Sequence, residues 1–303
     1  MDFYTESGDV ATLVMYARNV DAKLRAAAAV EGSPSRWGAA GAWRRPSLDF
    51  YGWDERLGSG FEGGSCNESQ RVFSMATARA SLAFATALSS LNASVHSARP
   101  WLAPMAAAHR CIHDTIAANT LAGAAPFEHF GMHAAAHAIV AGIAPVATHA
   151  ALLTQHFNDS AQICSWAPFN QYWLVRALGV LSLPHAIDAV KLCWGGMLEL
   201  GATTFWEAFA PDWVHTFAPS DPIPGFANGE TSMCHPYGSG VTAWMSETLL
   251  GVRPVEAGYA SWSLRPARAA VRGAVETPHG SIEVDWSPPT LRLTVPPSTT
   301  VGR

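Results

Sequence analysis

Charged side chains are scarce in this chain. Asp, Glu, Lys and Arg make up 14% of its 303 residues, against about a quarter in an average soluble domain. No basic cluster occurs and the net charge is −5, so nucleic acid is not an expected partner. The five cysteines, Cys66, Cys111, Cys164, Cys193 and Cys234, include no C-x-x-C pair. Neither a zinc knuckle nor a dense disulfide framework is implied. No uninterrupted apolar run reaches the roughly 18–20 residues that span a bilayer, so no membrane partner is expected. The opening Met-Asp-Phe-Tyr-Thr-Glu lacks the basic and apolar regions of a signal peptide. His133 and His137 stand at i and i+4, as metal-binding helices require, but no Glu follows His133 and no third ligand is evident. They read as hydrogen-bonding histidines of a core or cleft, and neither a metal nor a cofactor is expected.

Apolar residues, by contrast, make up 49% of the chain, enough for a large core. Much of that share is alanine, which favours helix while burying little area per position. The twelve tryptophans are many for this length, and several fall in Gly- and Pro-containing loops rather than in periodic segments. Apolar spacing predicts helices over 8–30, 68–90, 103–118, 131–143, 148–156, 169–181 and 186–200, and one opened by His235 that runs to Leu250. Between the first two lies the stretch from Gly32 to Gly64, which includes F-Y-G-W-D-E-R, Phe50–Arg56. So long a loop is usually functional or disordered, and its aromatic and acidic content favours a binding loop. From Pro254 onward the pattern changes to short alternating segments, 259–264, 270–276, 282–286 and 291–295, separated by Pro and Gly turns. The expectation is successive helix pairs over residues 1–253 followed by a small β domain over 254–303.

One stretch concentrates candidate chemistry: G-G-M-L-E-L-G-A-T-T-F-W-E-A-F-A, Gly195–Ala210. Gly201 marks the end of a helix, and Glu207 follows Phe205 and Trp206 directly. A carboxylate among rings suits the wall of a pocket where a sugar stacks and partial desolvation tunes the acid. The plainer alternative is a helix-start glutamate whose aromatic neighbours belong to the core.

Three stretches, Ile163–Trp173, Cys193–Phe209 and Ser232–Tyr259, together resemble the α-L-rhamnosidases of glycoside hydrolase family 78. The most specific pieces are C-W-G-G-M-L-E-L-G-A-T-T-F-W-E and C-H-P-Y-G-S-G-V-T-A-W, continued by L-G-V-R-P-V-E-A-G-Y. The resemblance implies a mainly α fold, a six-hairpin (α/α)6 barrel, followed by the family's small β-sandwich from about Val255. It further implies inverting hydrolysis of terminal α-L-rhamnosyl linkages, with rhamnose-containing glycosides or polysaccharides as substrates. By this likeness Glu207 occupies the general-base position and His235 lies near the sugar. The aromatic-acidic loop makes Trp53, Asp54 and Glu55 sugar-facing, and Trp166, Asn170 and Trp206 complete the substrate-binding set. From the residues alone, Asp54 and Glu55 can accept hydrogen bonds from sugar hydroxyls while Trp53 stacks on a ring face; a local ion-pair cluster with Arg56 is the alternative.

In two respects the chain departs from that pattern. A six-hairpin barrel needs twelve helices, and about eight are legible, so the barrel is expected to be incomplete and to lack its first hairpins. The family's general acid is expected in an acidic motif upstream, and nothing before Gly8 supplies one. Asp54 and Glu55 are expected to bind sugar rather than donate the proton. A non-catalytic carbohydrate-binding or inactive remnant of such an enzyme is therefore a second reading, and an α/α glycosidase acting on another sugar is a third.

Overall fold

The computed structural model describes residues 2–31, 66–123, 125–158, 163–164, 167–207, 209 and 232–302. The binding loop expected over Gly32–Gly64 lies outside them. The described chain is mostly helical with a small β region at its C-terminal end. It divides into two compact units, one of residues Met1–Ala29, Ala80–His113 and Thr242–Arg303, the other of Val30–Arg79 and Asp114–Val241. The division thus groups the β segments with the first helices, whereas the change of sequence character falls near residue 253.

In the first unit, α1 (Asp2–Ser7) and α2 (Val10–Glu31) are separated at Gly8, whose φ of +69° suits glycine. The backbone N–H and the hydroxyl of Thr12 donate to the Asp9 carboxylate at 3.0 and 2.7 Å, capping α2. These donors hold the Asp9 carboxyl below its usual range. Leu13 and Ala17 of α2 are buried with Val10, Val14, Val20 and Leu24 packed alongside, one stripe at helical spacing. Their partners are Phe84 and Leu88 from the end of α3 (Cys66–Ser89), and Leu102 and Ala106 from the start of α5 (Leu102–Leu121). The short α4 (Ala93–Ala98), absent from the expected helices, is capped by Asn92, whose side chain accepts from the Val95 N–H. Within this core His109 is fully buried, its Nε2 2.9 Å from Asp21 and its ring edge-on to Phe84. Burial lowers its pKa despite the pull of Asp21.

Among the described residues, six strands form two three-stranded sheets. Strands β3 (Val271–Thr277), β4 (Gly280–Ser287) and β5 (Thr290–Thr294) are an antiparallel meander. In the other sheet β2 (Ser261–Leu264) lies between β1 (Val252–Pro254), antiparallel to it, and β6 (Thr300–Gly302), parallel to it. Val252, Tyr259, Trp262, Val275, Ile282 and Val284 form their common core. The strand expected from Tyr259 begins two residues later, because Gly258 (φ +80°) and Tyr259 (φ +61°) are left-handed. That turn lets the Tyr259 hydroxyl donate to Glu6 of α1 at 2.7 Å, and burial holds the phenol well above its usual pKa.

The second unit carries α6 (Met132–Val140), α7 (His149–His156), α8 (Pro168–Leu181) and α9 (Leu183–Glu199). Pro168 stands in the first turn of α8, where its missing N–H costs nothing. Helix α6 packs on α8, and α8 on α9. Nearly all of α6 is buried, His133 and His137 included. The His137 ring lies 5.3 Å from that of Trp173, over which the Arg79 guanidinium stacks at 3.7 Å. Burial, with Arg79 adding to it, lowers the His137 pKa to about 3. No group of three or more potential metal ligands occurs among the described residues. The helix expected after His235 is a composite: a 3-10 turn Pro236–Ser239, α10 (Gly240–Trp244) and a π turn Met245–Leu249.

Arg71–Ser89 of α3 is, by length and composition, apolar enough to cross a membrane, although Arg71 and Arg79 interrupt it and no uninterrupted apolar run reaches that length. Because 56% of that window is buried inside the protein, its apolar faces serve as core.

Two outcomes are expected. A Cβ at Gly251 (φ +73°) would stand 2.0 Å from the Arg265 carbonyl. Gly251→Ala should therefore lower the stability of the β region in urea unfolding by on the order of 2–4 kcal/mol. Because the native state binds fewer protons than the unfolded chain, stability should rise with pH between about 3 and 6.5 as far as His137 is concerned. It is fully present above 6.5 and lost on acidification. His137→Gln should flatten the dependence of the unfolding midpoint on pH across that window, whatever its effect on the midpoint itself.

Candidate active site

The site is built in the second unit from the segment after α9. Past Glu199 the chain turns at Gly201 (φ +87°), whose N–H donates to the Leu198 carbonyl while the Ala202 N–H donates to that of Met197. Such a cap ends a helix abruptly and releases the next residues in an irregular, extended course. Glu207 belongs to no helix, which sets aside its reading as a helix-start residue. Its neighbours Trp206 and Phe209 are nonetheless buried, as the plainer reading of those rings held.

Segment 205–207 is bracketed to segment 232–235. The His235 N–H donates to the Phe205 carbonyl at 2.7 Å, and the Glu207 N–H to the Ser232 carbonyl at 2.9 Å. In return, the Ser232 N–H donates to Glu207 Oε2 at 2.9 Å. Two side-chain hydroxyls cross the same gap, that of Thr204 to the Met233 carbonyl and that of Tyr237 to the Glu207 carbonyl. Glu207 is half-buried, and no cation forms a salt bridge with it among the described residues. One carboxylate oxygen is fixed by an amide, a charge-assisted bond, and nothing described here bonds the other.

Below the bracket, Gly238 and Gly240 admit close neighbours. A Cβ on Gly238 would lie 3.2 Å from both the Phe205 Cβ and the Trp206 carbonyl oxygen, and one on Gly240 would lie 2.8 Å from the Tyr172 ring. The buried Trp194 indole donates to the Gly238 carbonyl at 2.9 Å and stands edge-on to Phe209 at 5.1 Å. Next to it, Cys193 is joined to Cys164 by a disulfide that ties the approach to α8 onto α9. At the bracket's end, the His235 and Tyr237 rings lie 3.8 Å apart, and Phe169 of α8 stacks with Tyr237 at 6.1 Å. His235 Nδ1 is buried and has no hydrogen-bond partner among the described residues.

Of the residues expected from sequence, Glu207, Trp206 and His235 are brought together on this bracket. Asn170 follows Phe169 in the first turn of α8 and is buried. Trp53, Asp54, Glu55 and Trp166 lie outside the described residues. Sequence reasoning passed over Ser232, Tyr237, Trp194 and the disulfide. The G-S-G spacing after Tyr237 was the available signal, since two glycines one residue apart in an otherwise ordinary turn mark close packing.

Residues 251–302 match the family model described as the bacterial alpha-L-rhamnosidase C-terminal domain. Among solved structures, the chain resembles Streptomyces avermitilis alpha-L-rhamnosidase, which was determined with L-rhamnose, at a TM-score of 0.64 and 18% identity. It resembles the family 78 rhamnosidase of Bacillus sp. GL1 at a TM-score of 0.66 and 17% identity. For native alpha-L-rhamnosidase from Aspergillus terreus the values are 0.64 and 16%. These likenesses cover 99%, 99% and 98% of this chain but 28%, 32% and 35% of the solved ones, so the chain spans about a third of their length. No curated protein sequence matches the chain.

Trp194→Phe keeps the ring and removes the bond to Gly238. It should cost about 1–3 kcal/mol in chemical denaturation, because a buried carbonyl is left without its donor. Gly240→Ala should cost a similar, overpacking-type loss by displacing Tyr172.

Proposed function

We propose that this chain is a glycoside hydrolase of the α-L-rhamnosidase type, acting on terminal α-L-rhamnosyl linkages with inversion of configuration. The fold likeness over nearly the whole chain and the family match over residues 251–302 support the kinship. We read the helices as part of an (α/α)6 six-hairpin barrel over 1–253, and residues 254–303 as a shortened form of the family's β-sandwich. The observation that carries the functional reading is Glu207: a half-buried carboxylate with no salt bridge among the described residues, held by an amide on one oxygen and flanked by buried rings.

In an inverting reaction, a carboxylate takes a proton from water as that water attacks the anomeric carbon. A carboxylic acid on the other side, about 6.5–9.5 Å away, protonates the departing oxygen. Glu207 is assigned the first role. Its Oε2 is engaged by Ser232, and its second oxygen is assigned as the proton acceptor. His235 is assigned to a sugar hydroxyl, its ring held by Tyr237. Trp53, Asp54, Glu55 and Trp166 are assigned to sugar contact, and Trp206 and Asn170, both buried, to the wall behind it. Within this chain Asp54, Glu55 and Glu62 are the carboxyl groups to test for the acid.

Glu207→Gln should remove hydrolysis of p-nitrophenyl α-L-rhamnoside by at least about 10²-fold with the fold intact by circular dichroism. Proton NMR of the first product should show the β-anomer. Activity kept by that variant would remove Glu207 as base. If one of Asp54, Glu55 or Glu62 is the acid, its amide variant should lose about 10²–10⁴-fold on an alkyl rhamnoside and much less on an activated aryl one. Rhamnose binding by calorimetry without any hydrolysis would instead support the carbohydrate-binding remnant.

A further inference from the structure

We propose that Tyr237 is a positioning residue for Glu207, an inference that rests on the reading of Glu207 as the base. Glu207 is restrained at three points. Its N–H donates to the Ser232 carbonyl, its Oε2 accepts from the Ser232 N–H, and its own carbonyl accepts from the Tyr237 hydroxyl. The first two bonds run to a single residue and do not engage the Glu207 carbonyl. Among the described residues, the phenol is the group that holds the Glu207 carbonyl, and so restrains the backbone from which the carboxylate extends.

Tyr237 is itself well placed to act as a fixed point. Its ring lies 3.8 Å from that of His235 and 6.1 Å from that of Phe169, the latter nearly parallel at 20°. The adjacent Gly238 is pinned in turn by the Trp194 indole and by the space beneath Phe205 and Trp206. One side chain therefore couples the orientation of the carboxylate to that of the histidine, and does so through α8 and the 3-10 turn rather than through the substrate. The base acts on water only as the transition state forms, so misalignment of this kind falls on kcat and not on substrate affinity.

Tyr237→Phe keeps the ring stack and deletes only the hydroxyl. It should lower kcat on p-nitrophenyl α-L-rhamnoside about tenfold with KM changed less than twofold. By hydrogen exchange, the amides of Glu207 and Ser232 should exchange faster while those of α8 and α9 keep their parental rates. Ser239→Ala, an exposed neighbour on the same turn whose hydroxyl reaches only the Pro236 carbonyl, should change neither. Unchanged exchange at Glu207 and Ser232 in Tyr237→Phe would overturn the proposal, as would uniformly faster exchange or the same effect from Ser239→Ala. The exchange measurement needs no turnover. Activity that survives Glu207→Gln removes the base assignment alone, whereas local exchange unaltered in Tyr237→Phe removes the positioning assignment alone.

Discussion

The pairing of Phe205–Glu207 with Ser232–His235 is the constraint on which the rest of the site depends. Backbone groups in a half-buried, irregular segment must find partners or lose free energy, and neither a helix nor a sheet is at hand there. Each segment supplies what the other lacks, across a separation of about 25 residues. Glu207 is held by main-chain geometry at both its amide and its side chain, so its carboxylate is placed by the fold instead of by a flexible rotamer. The indole of Trp194, the disulfide beside it and the two glycines of the following turn all support this one bracket from beneath.

That support shows how shape and chemistry divide their labour here. Gly238 and Gly240 contribute no functional group. Their contribution is room, for the Phe205 and Trp206 backbone in one case and for the Tyr172 ring in the other. The rings of His235, Tyr237 and Phe169 then form a short aromatic series from the bracket to the first turn of α8. Aromatic contacts of this sort restrict orientation at small entropic cost, because each ring has few torsions to lose.

Helices were the most legible part of the chain. The stripes through α2 and the closing glycine after α9 follow local spacing, and the meander β3–β4–β5 follows alternation with its turns. Elements that local pattern could not reveal owe their form to distant residues. Strands β1 and β6 are three residues each and exist only as neighbours of β2. Tyr259 leaves the strand its sequence suggests in a left-handed turn, and its hydroxyl reaches Glu6, far away in the chain. At the site, Glu207 and His235 stood out through their motifs. Tyr237 and Ser232 did not, since periodicity carries no information about which carbonyl a phenol or an amide will reach.

The bond between Tyr259 and Glu6 joins residues 253 positions apart, and the first unit draws on the beginning and the end of the chain. On the ribosome, α1 and α2 emerge long before their partners. At about 5–20 residues per second, Glu6 of α1 waits roughly 13–50 s for Tyr259 to be made. The intervening second unit is complete in sequence well before then. Biosynthesis therefore supplies the sequence of the second unit while α1 still lacks the tyrosine that its glutamate bonds.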